Sequence, residues 1–232
     1  MITDPSQSIV SGRQIESRPP RGIIALVAGF LVVSFFLLHL PDFVPSLRIS
    51  GTHWNWSGKI ISIAFSCVML ACSPWLRQNA GLHWRQSPGS VRVSVICFFA
   101  CLGTGIACGF YNSPLAFSRE TLLFQIFMPG IDEELAVRGI ALALLEKAFG
   151  QSPMSCQLRY GWAAFITSLL FGLVHSVGIS HGAIQFFFGS FFLTFCFASV
   201  VVLARTRSGS LLWPILCHSA WDGSLSLFRM IR

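Results

Sequence analysis

The chain has 232 residues, of which 53% are hydrophobic and only 11% are charged. Soluble domains carry roughly 25% charged residues, so the composition excludes an ordinary soluble protein and predicts an all-α, polytopic transmembrane helix bundle. The net charge of +7 does not indicate a nucleic-acid-binding protein, because the lysine and arginine residues are spread singly and form no basic stripe. Contact with the lipid bilayer explains these charges better.

The polar residues 1–21 come first, and we expect them to form a mobile tail. Candidate membrane spans then follow as apolar runs at 22–40, 59–76, 91–110, 121–149, 162–178, 183–204 and 211–228. These runs predict N-terminal transmembrane helices over 22–110 and a second transmembrane unit over 121–228. Pro129 and Gly130 interrupt the fourth run, and a separate short helix before Pro129 would raise the count from seven spans to eight.

Basic residues at the ends of these runs predict the orientation. With a cytoplasmic N-terminus, ten lysines and arginines lie on the inner side and five on the outer side. The five outer residues are Arg48, Lys59, Arg119, Arg229 and Arg232. We therefore predict an integral protein of a bacterial inner (cell) membrane with its N-terminus in the cytoplasm.

Ionisable residues interrupt the fourth run, where they are costly unless they are paired or functional. Glu134 and Arg138 are four residues apart, so on a helix they share a face and can pair. Glu133 points about 100° away from that face and lacks this partner, which suits a general base. The alternative is an acidic helix face exposed to solvent, which the apolar flanks disfavour.

Two later clusters also place polar residues on apolar spans. Phe171 and His175 are four residues apart near the end of the fifth run. His218 and Asp222 are four residues apart within the seventh, where the carboxylate can orient the imidazole. An interfacial histidine and a His–Asp pair that serves packing remain the structural alternatives. In the predicted orientation, all three clusters can converge on one cavity that opens toward the outer side.

In this order, the three clusters resemble the CPBP family, also called Abi or CAAX-protease-related proteins. The family pattern is Glu-Glu-x-x-x-Arg, then Phe-x-x-x-His, then His-x-x-x-Asn or Asp. The resemblance covers residues 121–228 and implies that this unit is a catalytic transmembrane core. The family includes CAAX prenyl endopeptidases and bacterial enzymes that cut membrane-bound peptides or C-terminal sorting tails.

The resemblance implies an intramembrane endopeptidase of the glutamic type and assigns roles to the motif residues. Glu133 would activate water, His175 would hold or help activate that water, and His218 with Asp222 would stabilise the oxyanion. The supporting residues are Glu134, Arg138 and Phe171. Asp222 stands where Asn is usual, and a carboxylate donates to an oxyanion only when protonated, so it could instead orient His218.

Alternatives remain open for the cofactor and the function. We expect no cofactor, but Glu133, His175 and His218 also form a two-histidine, one-carboxylate set that could bind zinc, although no His-Glu-x-x-His motif is present. The expected partner is a membrane-bound peptide or protein substrate, possibly a C-terminal tail. A proton-coupled transporter or a non-catalytic peptide-binding or immunity protein would use the same residue types.

Overall fold

A computed structural model of the protein describes residues 21–150, 153–155, 160–180 and 183–232. The α-helices are α1 (Arg21–Phe43), α2 (Trp56–Cys72), α3 (Pro74–Asn79), α4 (Ser90–Tyr111), α5 (Arg119–Glu133), α6 (Leu142–Phe149), α7 (Trp162–Val174), α8 (Phe188–Ser208) and α9 (Leu212–Ile231). A 3-10 turn covers Pro45–Leu47, and a π-helical segment, Glu134–Ala141, joins α5 to α6. The strands form two antiparallel pairs, β1 (Pro153–Ser155) with β2 (Tyr160–Gly161), and β3 (Val177–Ser180) with β4 (Ala183–Phe186).

The predicted helical character is confirmed, and three of the described helices are long and apolar enough to cross a membrane: α1, α4 and α8. The helices α2 and α7 are apolar but shorter. The count of seven or eight spans therefore stays a prediction. The predicted N-terminal tail lies outside the described residues up to position 20, and α1 begins at Arg21.

The chain does not break at Pro129, where the alternative with eight spans placed the end of a separate short helix. Pro129 lies inside α5, and the helix continues to Glu133. Gly130 packs closely on α9, because an added Cβ would lie 2.9 Å from Ser219 Oγ. The irregularity comes later, in the π-helical segment, and π-turns within α-helices are frequent at functional sites.

The predicted spans 162–178 and 183–204 are wrong at their junction. Helix α7 ends at Val174, and the β3–β4 hairpin fills the gap before α8 begins at Phe188. Phe187 N donates to Ser176 O at 2.8 Å and extends the pairing next to the hairpin. This segment is rich in β-branched and aromatic residues, which favour strands over helix. His175 consequently lies at the C-terminal end of a helix, directly before a strand.

Close helix packing brings α9 against α4 as well as α5. Along α4, the buried face carries mostly small residues, namely Ser90, Ser94, Cys97, Cys101, Gly105 and Gly109. An added Cβ at Gly105 would collide with the Trp221 backbone, and one at Gly109 would lie 2.7 Å from Phe228 Cβ. Small residues at a helix contact allow backbones to approach closely in membranes. Helix α9, which carries His218 and Asp222, is thus held between two neighbours.

Candidate active site

Glu133 is at the centre of a buried cluster of charged side chains. Its side chain is 21% exposed, and Oε2 lies 3.7 Å from His175 Nε2 and 4.0 Å from His218 Nε2. The structure thereby brings together residues from all three sequence clusters. Within the part of the chain that the structure describes, Glu133 Oε2 has no hydrogen-bond partner. Both distances are longer than a direct hydrogen bond.

His175 is held from one side by the preceding turn of α7. Its Nδ1 lies 2.8 Å from the Phe171 carbonyl oxygen, which can only accept, so Nδ1 is the donor. In the neutral ring, Nε2 is then the acceptor that faces Glu133. The Phe171 ring stacks on the imidazole with 4.3 Å between centroids. The His175 side chain is 38% exposed, so this side of the cluster is open.

His218 is buried and lies between two carboxylates. Its Nδ1 is 2.7 Å from Glu134 Oε1, and its Nε2 is 3.3 Å from Asp222 Oδ2. Sequence reasoning proposed Asp222 to orient this ring, and the structure places Glu134 on the other nitrogen as well. Two contacts on opposite sides of the ring define its orientation. Its Nε2 edge is the one that faces Glu133 Oε2.

Glu134 and Arg138 are completely buried, and Arg138 Nη1 donates to Glu134 Oε1 at 3.1 Å. The structure thus makes the pairing that their spacing predicts. The Arg138 guanidinium carbon also lies 4.4 Å from the Phe171 ring centroid, a cation–π distance. Phe171 therefore packs between Arg138 and His175. These contacts link the π-helical segment, α7 and α9 around the cluster.

Two further residues of the cluster were missed by the sequence analysis. Lys59 Nζ donates to Glu133 Oε1 at 2.7 Å and to Asp132 Oδ2 at 3.0 Å, and its side chain is only 9% exposed. Lys59, which the sequence analysis counted among the outer charges, lies in the first turn of α2 with its side chain turned inward, so Glu133 does have a cationic partner. The missed signal is a polar stripe on α2, whose buried positions include Ser57, Lys59, Ser62 and Ser66. A polar stripe on a membrane helix faces the protein interior.

The predicted zinc alternative used the carboxylate of Glu133 and the two histidines. Among the described residues, no group of three or more His, Cys, Asp or Glu side chains has an arrangement that could hold a metal ion. The positive charge closest to Glu133 Oε1 is the Lys59 ammonium group.

A mostly helical, apolar chain with carboxylates and histidines gathered inside it is typical of a membrane protein with a buried polar site. Residues 116–224 match the family model described as type II CAAX prenyl endopeptidase Rce1-like. The match is confined to this segment and confirms the predicted resemblance to the CPBP family, so the chain is similar to CAAX proteases over this part. No curated protein and no solved structure matches the chain.

Proposed function

We propose that the protein is an intramembrane endopeptidase that cleaves a membrane-associated peptide or protein tail with water activated by Glu133 and His175. The observation that carries this proposal is the position of Glu133 Oε2, 3.7 Å from His175 Nε2 and 4.0 Å from His218 Nε2. These distances are too long for direct hydrogen bonds and suit one water molecule in contact with all three groups.

The reaction begins with that water molecule. It donates one hydrogen to Glu133 Oε2 and the other to His175 Nε2, so that its oxygen lone pair points to the scissile carbonyl carbon. As the oxygen attacks, Glu133 takes the proton, and the carbonyl oxygen becomes an oxyanion. The C–N bond then breaks, and Glu133 returns the proton to the leaving amine. No covalent intermediate with the protein forms.

His218 stabilises the oxyanion through Nε2–H. The ring carries protons on both nitrogens: Nδ1–H donates to Glu134 Oε1, while Nε2–H faces Asp222 Oδ2 at the longer distance of 3.3 Å and is shared with the oxyanion as that forms. A prepositioned donor of this kind typically contributes about 10²–10³-fold to kcat. In this proposal Asp222 orients His218 and does not itself donate to the oxyanion.

Hydrolysis proceeds here without a metal ion. The Lys59 ammonium at 2.7 Å supplies the positive charge beside Glu133 Oε1, and His218 supplies the donor for the oxyanion. A zinc-dependent version would need Glu133, His175 and His218 as ligands and would leave no free carboxylate oxygen of Glu133 as base. Cleavage that survives zinc chelation supports the metal-free reaction.

The site opens toward the outer side of the membrane if the N-terminus is cytoplasmic. The C-terminal end of α7, which bears His175, and the N-terminal end of α2, which bears Lys59, belong to the same side of the bundle in that orientation. Lys59 and Arg205 are both buried, and without them nine basic residues lie on the inner side against four on the outer side. The charge asymmetry on which the orientation rests therefore remains.

The test compares membrane peptides from cells that carry the wild type, Glu133→Gln or the control Glu146→Gln. Glu146 lies in α6, about 20 Å further along the same continuous helical segment, and among the described residues it makes no hydrogen bond or ion pair with Glu133, His175 or His218. Intact-mass analysis should show one or more peptides that accumulate uncut only in Glu133→Gln, at equal protein levels. Identical peptide profiles in all three strains would contradict the proposal and favour a transport or peptide-binding role.

A further inference from the structure

The contact between Lys59 and Glu133 joins the segment that matches the family model to a helix that lies outside the match. Lys59 belongs to α2 and lies outside the family-matched segment 116–224, whereas Glu133 lies inside it. Lysine is almost never buried unless it is paired. A lysine near a membrane helix end usually extends toward the headgroups, but this side chain turns inward and is 9% exposed. Anchoring at the lipid headgroups therefore does not explain why the Lys59 side chain points into the protein.

The first turn of α2 is built to hold Lys59 in place. Asn55 caps the helix, because its Oδ1 accepts from Gly58 N at 2.9 Å while its Nδ2 donates to Leu38 O at 2.7 Å. Lys59 N donates to Asn55 O at 3.2 Å. Gly58 has no room for a side chain, since an added Cβ would collide with Leu38 O and the Asn55 amide. The Lys59 backbone is thus fixed against α1 as well as within α2.

The ammonium group is fixed at its other end by two carboxylates. Asp132 Oδ2 accepts from Nζ at 3.0 Å, and Glu133 Oε1 accepts at 2.7 Å. A carboxylate has two equivalent oxygens and can exchange them by rotation. Because Lys59 occupies Oε1, only Oε2 is left to face the two histidines. The choice of oxygen and the direction of its lone pairs are therefore set by a residue that does not touch the reacting atoms.

We propose that Lys59 is a positioning residue of the peptidase site: it holds Glu133 Oε1 so that Oε2 points to the attacking water. This inference rests on the proposed function and extends the site to the N-terminal helices. Removing the contact should act on kcat rather than KM, because it misplaces the base and leaves the substrate-binding surface unchanged. A misplacement of about 1 Å at a reacting group can cost about 10²-fold in rate.

The experiment measures kcat and KM for the peptide found uncut in the Glu133→Gln strain, with purified variants in lipid vesicles. Lys59→Met alone would leave two buried carboxylates without their cation, so the main variant is the charge-balanced Lys59→Met/Asp132→Asn. Its kcat should fall about 10²-fold with KM within about threefold of the wild type. Lys59→Arg keeps the charge with a different geometry, and its kcat should lie about tenfold below the wild type and above the double variant. Lys147→Met, which removes a lysine that packs on Trp75, is the control and should retain wild-type kcat.

Several results would overturn the inference. For the double variant, they are a kcat within threefold of the wild type or a change confined to KM. For Lys59→Arg, they are a kcat equal to that of the wild type or as low as that of the double variant. If the double variant does not accumulate, Lys59→Arg decides by the same limits. Glu133→Gln in the same assay separates the two claims. If it is inactive while both Lys59 variants have wild-type kcat, only the positioning role is wrong; if it is fully active, the proposed function is wrong.

Discussion

Glu134 combines a structural contact and a functional contact that mutations can separate. Its Oε1 accepts from Arg138 Nη1 at 3.1 Å and lies 2.7 Å from His218 Nδ1, in a completely buried position. Glu134→Gln removes the negative charge that both partners share. Removing one partner of a buried ion pair costs about 3–5 kcal/mol, because the remaining charge is left buried and uncompensated. For a chain of this size, that loss corresponds to a decrease in Tm of about 10 °C.

The matched variant is Glu134→Leu/Arg138→Met, which removes both charges. Replacing a buried ion pair by apolar side chains of similar volume is often neutral for stability, but the variant still leaves His218 Nδ1 without its acceptor, at a cost of about 1–3 kcal/mol. Its Tm should therefore lie between those of Glu134→Gln and the wild type. Its cleavage rate should nevertheless fall about 10²-fold or more, because His218 Nδ1 has lost the carboxylate that orients the ring. The double variant should therefore be more stable than Glu134→Gln and yet nearly inactive, whereas Glu134→Gln should be both less stable and impaired.

Thermal unfolding followed by tryptophan fluorescence and cleavage of the same peptide provide the two measurements. The purified variants are compared in one detergent at one protein concentration. A wild-type Tm for Glu134→Gln would refute the assignment of Glu134 as the buried counter-charge of Arg138. Wild-type cleavage by the double variant would refute its role in orienting His218.

Three further predictions concern the rest of the cluster. Asp222→Asn should keep cleavage within about fivefold of the wild type, because the amide oxygen can still accept from His218 Nε2; a loss beyond about 10²-fold would show that the charge itself is needed. Phe171→Leu should lower kcat about tenfold, since it removes the ring that packs between His175 and Arg138; an unchanged kcat would contradict this. Treatment of the purified wild type with a zinc chelator should leave cleavage unchanged and release no stoichiometric zinc, whereas loss of cleavage that zinc restores would favour the metal-dependent alternative.

The sequence predicted contacts within one helix better than contacts between helices. Spacing of four residues along helices placed Glu134 with Arg138 and His218 with Asp222, and the structure shows both contacts. Such spacing identifies neighbouring side chains on one helix and contains no information about contacts with another helix. Lys59 was therefore interpreted as an interfacial charge, since its position near a helix end is also typical of headgroup anchoring.

Local irregularities in the backbone were the other part that could not be predicted. Pro129 usually ends or kinks a helix, yet α5 continues through it, and the irregular turn lies at Glu134–Ala141. Hydrophobicity also merged the hairpin segment with its flanking helices, because apolar residues in a membrane protein have the same hydropathy in strand and helix. In both cases tertiary packing decided the local structure, and packing is not readable from the residues near that point alone.

The most direct test of the central claim is cleavage by the purified chain in lipid vesicles, with the accumulated peptide as substrate and new termini identified by mass. Wild type and Glu146→Gln should generate the same two fragments, with one oxygen from labelled water in the new carboxylate. Glu133→Gln should be at least about 10³-fold slower while its Tm remains near that of the wild type. Cleavage by Glu133→Gln at the wild-type rate would contradict the assignment of Glu133 as the base that activates water.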